Sequence, residues 1–251
     1  MRKSKIEWTE QTWNPSAGCT KISSGCKNCY AETMAIRLKG RGTVGYENGF
    51  KFNPVPSRLN DPLKRKKATV FFVNSMSDIF HENMPEEYLD RIFEVIENTP
   101  HHTYQILTKR ADRMYDYLSK RPVPSNVCLG VTVENKQQGL PRIDKLRHLK
   151  AKVLFLSVEP LLEDLGAMNL TNIDWVIVGG ESGNKARPMY KEWVLNIKKQ
   201  CETEGIAFFF KQWGTWGEDK VKRSKKLNGK ELEGKIWQQY PEIIEQQFGV
   251  I

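Results

Sequence analysis

Gly18-Cys19-Thr20-Lys21-Ile22-Ser23-Ser24-Gly25-Cys26-Lys27-Asn28-Cys29-Tyr30 places three of the chain's five cysteines within eleven residues and runs straight into a segment of helical spacing. The C-x6-C-x2-C spacing supplies three thiolates, one short of the four that close a structural zinc or iron–sulfur site. A [4Fe-4S] cluster held this way keeps one iron free for a small molecule, whereas Zn2+ needs a fourth protein ligand or a water. The C-x2-C half is ordinary metal spacing, since two intervening residues let both sulfurs turn inward on one loop. Gly18 and Gly25 are expected to let the backbone pass close to a bulky cluster.

Upstream, Trp8 and Trp13 lead through Asn14-Pro15 into the loop, so a short first strand is expected to end near Trp13. Downstream, Ala, Met, Ile and Leu recur at helical spacing from Tyr30 to about Lys39. The last cysteine therefore falls at a helix N-terminus, where the dipole and free N–H groups favour an anionic thiolate. Beyond residue 66 the chain alternates apolar strands with helices. The strands are Val70–Val73, Tyr104–Leu107, Val127–Val133, Val153–Leu156, Trp175–Val178 and Ile206–Phe210. The helices are Pro85–Asn98, Ala111–Ser119, Pro141–Leu149 and residues 190–204. Strands that are apolar throughout and joined by helices imply a parallel sheet buried on both faces. The expected fold is α/β, a partial or complete (β/α) barrel of about six to seven βα units, with a doubly wound open sheet as the alternative. Residues 1–217 are expected to form that domain, and 218–251 a basic C-terminal extension packed on it.

At 251 residues the chain can bury a substantial core, and 39% hydrophobic content argues against general disorder. No apolar run approaches the roughly 20 residues of a membrane helix, and no signal-peptide core stands at the start, so a cytoplasmic location is expected. In that compartment clustered cysteines read as metal or redox chemistry rather than disulfides. Cys128 and Cys201 lie in apolar runs and are expected to be buried. A net charge of +9 leans towards polyanions, with nucleic acid or a nucleotide-like substrate as the class.

Polar residues recur just past the strands: Asn74-Ser75-Met76-Ser77-Asp78, Thr108-Lys109-Arg110, Thr132-Val133-Glu134-Asn135, Ser157-Val158-Glu159-Pro160, Gly179-Gly180-Glu181-Ser182-Gly183 and Lys211-Gln212-Trp213-Gly214. In barrels and open α/β sheets the C-terminal strand ends line the active-site mouth, and the cysteine loop follows the first strand into it. For each group taken singly, helix capping or chain turning is an equal explanation. Glu159 and Glu181, long acids at strand ends, rank first. His101 and His102 sit in an apparent turn and are expected to be solvated. Phosphate-loop, dinucleotide and nucleophile-elbow motifs are missing. The run 219–226 is basic, and Asn228-Gly229 reads as a hairpin turn. Trp213 and Trp216 can stack on a base or pack inside.

Trp13-Asn14-Pro15, Gly18-Cys19, Ser24-Gly25-Cys26, Cys29-Tyr30-Ala31, Ser77-Asp78, Leu107-Thr108-Lys109-Arg110, Gly130-Val131-Thr132, Glu134-Asn135, Glu159-Pro160, Gly179 to Gly183, Arg187-Pro188 and Lys211 to Gly214 together resemble a phage-associated three-cysteine-motif family. That family is similar to radical S-adenosylmethionine (SAM) enzymes, especially the spore photoproduct lyase branch. The resemblance implies a [4Fe-4S] cluster on Cys19, Cys26 and Cys29, with SAM on the fourth iron. It implies reductive cleavage to a 5′-deoxyadenosyl radical fed by an electron donor. Asn74, Ser75, Ser77 and Asp78 would face the SAM methionine moiety; Thr132, Glu134 and Asn135 would lie near its ribose. Glu159, Glu181 and Gly180 are further cofactor candidates, and Glu159, Glu181 and Lys109 the catalytic ones. Lys109, Arg110, Arg187 and Lys211 are candidates for substrate phosphates or the SAM carboxylate, with Gln212 and Trp213 beside them. The first cysteine gap holds six residues where three are commonest, and Asn28 stands where an aromatic usually precedes the last cysteine. The competing class is a nucleic-acid-binding or partner-dependent regulatory protein with a structural Zn or Fe-S site and no SAM chemistry.

Overall fold

A computed structural model describes Ser4 and residues 6–248. Seven strands form one sheet: β1 (Gln11–Trp13), β2 (Val70–Val73), β3 (Thr103–Thr108), β4 (Val127–Thr132), β5 (Val153–Val158), β6 (Trp175–Gly179) and β7 (Ala207–Gln212). Their spatial order is their chain order, β1 to β7 without reversal. Pairing is parallel between β1 and β2, β2 and β3, β5 and β6, and β6 and β7. A doubly wound sheet reverses order at a switch point; an unreversed run is the winding of a (β/α) barrel. The fold is α/β of the partial-barrel type.

The chain divides into two compact units, the first of residues up to Ile22, Cys29–Gly130 and Leu149–Lys152. The second comprises Ser23–Asn28, Val131–His148 and Val153 onward. In the first, β2 is buried along its whole length. Helix α1 (Tyr30–Gly40) starts directly on Cys29, its extended N-cap residue, and buries only Ala31 and Ala35. Helix α2 (Glu86–Glu97) buries Tyr88, Leu89, Ile92, Phe93, Val95 and Ile96, the face expected from their spacing. Helix α3 (Ala111–Leu118) follows β3 after two residues. Cys128 is buried, as expected.

The second unit contains helix α4 (Lys136–Leu146), which starts five residues before the expected Pro141. Asn135 caps it, its side chain accepting from the Gln138 N–H at 2.8 Å. That cap outweighs the one backbone bond that a proline at the sixth position forfeits. Helix α5 (Lys191–Glu204) ends on Gly205 at φ 68°, with Cys201 buried on its inner face and burial pushing that thiol up to about 12. Asn228-Gly229 is not the hairpin turn. Ser224 caps a short helical turn over Lys225–Asn228, and the hairpin pairs Glu231–Leu232 with Lys235–Ile236 through Glu233-Gly234. Both turn residues have positive φ, 55° and 70°.

His102 is not solvated. It is fully buried, packs edge-on to Phe71 at 5.0 Å, and its Nε2 lies 3.2 Å from the Pro62 carbonyl. A helix end and a strand start close over it, which a local reading of His101-His102 as a turn does not register. Burial lowers its pKa, and the neighbouring His101 adds to this. Above about pH 6.5 it is neutral folded and unfolded. As pH falls through that value the unfolded chain takes the proton first, so stability drops until the lowered folded pKa is passed. Thermal midpoints between about pH 7 and 5 should therefore fall less in His102→Gln than in the wild type.

Candidate functional site

In the first unit the segment after β2 is sewn to the segment that leads into the cysteine loop. Asn74, at φ 59°, donates from Nδ2 to Ser16 Oγ at 2.9 Å. Ser75 Oγ donates to Asn14 Oδ1 at 3.2 Å, and the Ser75 carbonyl accepts from the Tyr30 hydroxyl at 2.5 Å. Ser77 Oγ donates to the Gly18 carbonyl at 2.7 Å, and the Gly18 N–H donates to Met76 O at 3.1 Å. Three of the four residues expected to face SAM, Asn74, Ser75 and Ser77, thus brace the approach to Cys19. Gly18 is required by a closer neighbour than any cluster: at φ 75°, a Cβ would stand 2.2 Å from the Lys51 carbonyl oxygen.

Arg110, at the end of β3, is the hub of this unit. Its side chain is 8% exposed, as is that of Asp78. Nη1 donates to Asp78 Oδ2 at 3.1 Å and to Cys19 Sγ at 3.5 Å; Nε donates to Glu82 Oε2 at 2.7 Å; Nη2 donates to Thr20 Oγ1 at 2.8 Å. Asp78 Oδ1 also accepts from Thr108 Oγ1 at 2.7 Å and the Phe80 N–H at 3.0 Å. Burial disfavours the guanidinium charge, yet Asp78, Glu82 and the Cys19 sulfur more than offset it and hold the pKa above the ordinary arginine range. Burial raises Glu82, but hydrogen bonds from Thr20 and Arg110 bring it down to about 2. Arg110, read as a phosphate contact, is instead saturated by protein acceptors.

His81, Glu82 and Thr20 complete the network and were not singled out from the sequence. His81 is fully buried and stacks on Phe52 at 4.1 Å between centroids. Its Nδ1 accepts from the Asn83 N–H at 3.1 Å, which leaves Nε2–H to donate to Thr20 Oγ1 at 3.1 Å. Thr20 Oγ1 in turn donates to Glu82 Oε1 at 2.5 Å. The signal available was proximity to Asp78: His81 and Glu82 lie three and four residues on.

The second unit holds the turn Ser24–Cys26 and Asn28. Ser23 Oγ lies 3.6 Å from Cys26 Sγ. The Ser24 N–H donates to Gln138 Oε1 at 3.0 Å and Asn135 Nδ2 donates to Ser24 Oγ at 2.8 Å, so the cap of α4 also grips the cysteine turn. Glu134, fully buried, pairs through Oε2 with Arg142 Nη1 at 2.6 Å; the same Nη1 donates to the Thr132 carbonyl at 2.8 Å. A Cβ on Gly25 would stand 3.1 Å from Glu134 Cγ, so that glycine makes room for Glu134.

Glu181 accepts from Arg187 at three points, with Nη2 to Oε1 at 2.6 Å and Nε and the backbone N–H to Oε2 at 3.0 and 2.8 Å. Asn28 Nδ2 donates to the same Oε2 at 3.1 Å. Although burial raises the Glu181 pKa, these hydrogen bonds bring it below the usual range. Glu159, ahead of a cis proline, pairs with Lys211 Nζ at 2.8 Å. Gly180 is needed where a Cβ would fall 1.9 Å from the Trp213 carbonyl oxygen. Trp213 is a core residue rather than a base platform: it is 2% exposed, packs edge-on to Phe210 and donates from Nε1 to the Glu231 carbonyl at 2.8 Å. Gln212 Nε2 donates to Ser182 Oγ at 3.1 Å. Lys109 is half-buried, and its N–H donates to Asp78 Oδ2 at 3.2 Å.

None of Cys19, Cys26 and Cys29 is in a disulfide, and all three are partly exposed. Cys29 caps α1 by backbone conformation alone, its side chain unused by the cap. In donor type and number they fit a three-thiolate iron–sulfur cluster. Among the described residues, no group of three or more His, Cys, Asp or Glu side chains is arranged to hold a metal ion. No helix among them is long and apolar enough to cross a membrane.

No curated protein matches the chain. Among solved structures it is similar to a spore photoproduct lyase complexed with dinucleoside spore photoproduct, at TM-score 0.46 and 14% identity over 80% of this chain and 63% of that one. A variant of that lyase with bound AdoMet and dinucleoside spore photoproduct aligns at TM-score 0.44 and 14% identity, over 71% and 58%. The chain therefore spans 58% to 63% of the length of these lyases. A family described only as a protein of unknown function, DUF5131, matches residues 3–241, and the chain belongs to that family.

Proposed function

We propose that this chain is an iron–sulfur, SAM-binding enzyme of the radical type, acting in the cytoplasm on a nucleic-acid or nucleoside-type substrate. The observation that carries the reading is the cysteine loop: three part-exposed cysteines, none in a disulfide, following the C-terminal end of β1, the first strand of an unreversed parallel sheet. Cys19, Cys26 and Cys29 would hold the cluster. Once reduced by an electron donor, a cluster with SAM on its open iron would supply one-electron cleavage of SAM and hydrogen abstraction from the substrate.

The chain's own part is to hold and orient. Arg110 fixes Cys19 and Thr20, and Glu181 fixes Asn28 between Cys26 and Cys29. Glu159 and Lys211, 2.8 Å apart, offer a carboxylate to an α-amino group and an ammonium to an α-carboxylate, the two ends of the SAM amino acid. Residues 1–217 are taken as the catalytic part and 218–251 as its basic extension. The phage association implied by the motifs belongs to this reading too.

A second reading, a nucleic-acid-binding or partner-dependent regulatory protein with a structural metal, is favoured by one observation. Both ranked acids already sit in ion pairs, Glu181 with Arg187 and Glu159 with Lys211. Oxygen-free reconstitution with iron and sulfide separates the two. The proposed enzyme should take up about four irons per chain, turn brown, and release 5′-deoxyadenosine when given SAM and a reductant. A colourless, zinc-loaded protein that leaves SAM intact would establish the second reading instead.

A further inference from the structure

We propose that a recess of about 570 Å³ in the second unit, lined by Lys222, Arg223, Lys225, Ser182, Asn184 and Thr215, binds the phosphodiester backbone of a nucleic-acid strand. Apart from Gly183, every residue that lines it carries a polar or charged side-chain group. No carboxylate lines it. Asp219 pairs with Arg223 through both oxygens, at 2.8 and 2.5 Å, and three cations less that one carboxylate leave two positive charges. Lys225 and Asn184 have no ion pair or side-chain hydrogen bond among the described residues. Two to three cations beside neutral hydroxyl and amide donors are the chemistry that recognises phosphate oxygens.

The recess is held open by backbone bonds rather than by its charged side chains. The Thr215 N–H donates to the Glu181 carbonyl at 2.9 Å, and the Arg223 N–H to the Thr215 carbonyl at 2.9 Å. The Gly183 N–H donates to Thr215 Oγ1 at 2.9 Å, and Trp216 and Lys222 form an antiparallel bridge. Gly183, at φ 114°, takes a conformation open only to glycine. Asp219 fixes the guanidinium direction, so the site is organised before any ligand arrives. Its volume lies within the roughly 300–1,000 Å³ of ligand pockets and exceeds what one phosphate fills, which favours successive phosphates of a strand. The recess also begins at Ser182, directly after the Glu181 that holds Asn28 of the cysteine loop. Assigning a strand seated there as substrate rests on the function proposed above.

The test is fluorescence anisotropy of the full chain, before any cluster is loaded, with a fluorescein-labelled single strand of about twelve nucleotides. Lys222→Ala combined with Lys225→Ala should weaken binding about tenfold and flatten the log–log salt slope by about 1.4, from two lost phosphate contacts at about 0.7 each. Lys66→Ala with Lys67→Ala removes the same charge from another basic surface of the chain and should change affinity less than about twofold. Thermal midpoints of both variants should match the wild type, since none of the four lysines is buried. Equal losses in the two double variants, no loss in the first, or no binding by the wild type would overturn the proposal. So would displacement of the probe by inorganic phosphate with no dependence on strand length, the behaviour of a single-anion site. Because the assay needs neither iron nor SAM, a failure of the radical reading leaves its outcome unaffected.

Discussion

Arg110→Leu should cost about 3–5 kcal/mol in urea denaturation, among the largest losses any single surface-free substitution in the first unit can produce. The guanidinium and the Asp78 carboxylate are each 8% exposed, and removing one leaves the other buried and charged. Asp78 keeps its bonds from Thr108 and Phe80, which softens the loss towards the lower end of that range. Thr20 loses a donor at the same time, and Cys19 Sγ loses its contact with Nη1, so the loop before the second cysteine should loosen. Alkylation of Cys19 in the folded chain, followed by mass spectrometry, should accelerate accordingly. Arg110→Lys keeps the charge, but a single ammonium cannot reach Asp78, Glu82 and Thr20 in the fork geometry that serves all three. It should recover only part of the stability. Pairing Arg110→Leu with Asp78→Leu should cost less than Arg110→Leu alone, because no buried charge is then orphaned. If Arg110→Leu stays within about 0.5 kcal/mol of the wild type, the network is not what holds this loop.

Strand and helix identities were legible because they depend on periodicity within a few residues. Val70–Val73 is apolar at every position and is buried at every position, and the six apolar positions of α2 are the six that are buried. The winding was less legible: a doubly wound sheet fitted the same elements, and the connection from β5 to β6 holds no helix to carry the chain across. What failed locally failed at competing caps. Pro141 is a strong breaker, yet Asn135 with Gln138 three residues on is a stronger start, and Asn228-Gly229 closes a helical turn because Ser224 opens one. Burial of His102 was invisible for a different reason. The carbonyl that meets it belongs to Pro62, forty residues away, and only the folded chain brings the two together.

The polar strand ends were legible as a set, whereas their partners were not. A sequence shows that Arg110, Arg187 and Lys211 are cations near strand ends; it does not show that Asp78, Glu181 and Glu159 are waiting for them. Residues expected to face a ligand also satisfy one another, which is how buried or half-buried charges survive at the rim of a sheet. Ion pairing and ligand binding draw on the same residue types, so motif reading alone cannot apportion them. Asn28 illustrates the reverse case. The resemblance implies an aromatic before the last cysteine, and the structure gives Asn28 a partner in its place, since an aromatic could not donate to both Glu181 Oε2 and the Lys185 carbonyl as Asn28 does.

Arg142→Met should be the costliest change in the second unit, again about 3–5 kcal/mol, because Glu134 is fully buried and its Oε2 sits 2.6 Å from the guanidinium. The Thr132 carbonyl loses the same Nη1 as its side-chain donor, so two acceptors are affected by one substitution. Glu134→Gln removes the charge while keeping the shape, and should cost less than Arg142→Met. The double variant Glu134→Leu with Arg142→Met replaces the pair by apolar atoms of similar volume and should regain most of the stability. A double variant as unstable as Arg142→Met alone would mean that shape at this position, and not the orphaned charge, sets the cost. The consequence reaches the cysteines through Gly25, whose missing Cβ leaves room for Glu134 Cγ, and through Asn135, which grips Ser24 from the next residue along. A shifted Glu134 therefore moves the turn that presents Cys26. Iron uptake on reconstitution should fall in Arg142→Met at temperatures where circular dichroism still shows a folded chain, and should return in the double variant.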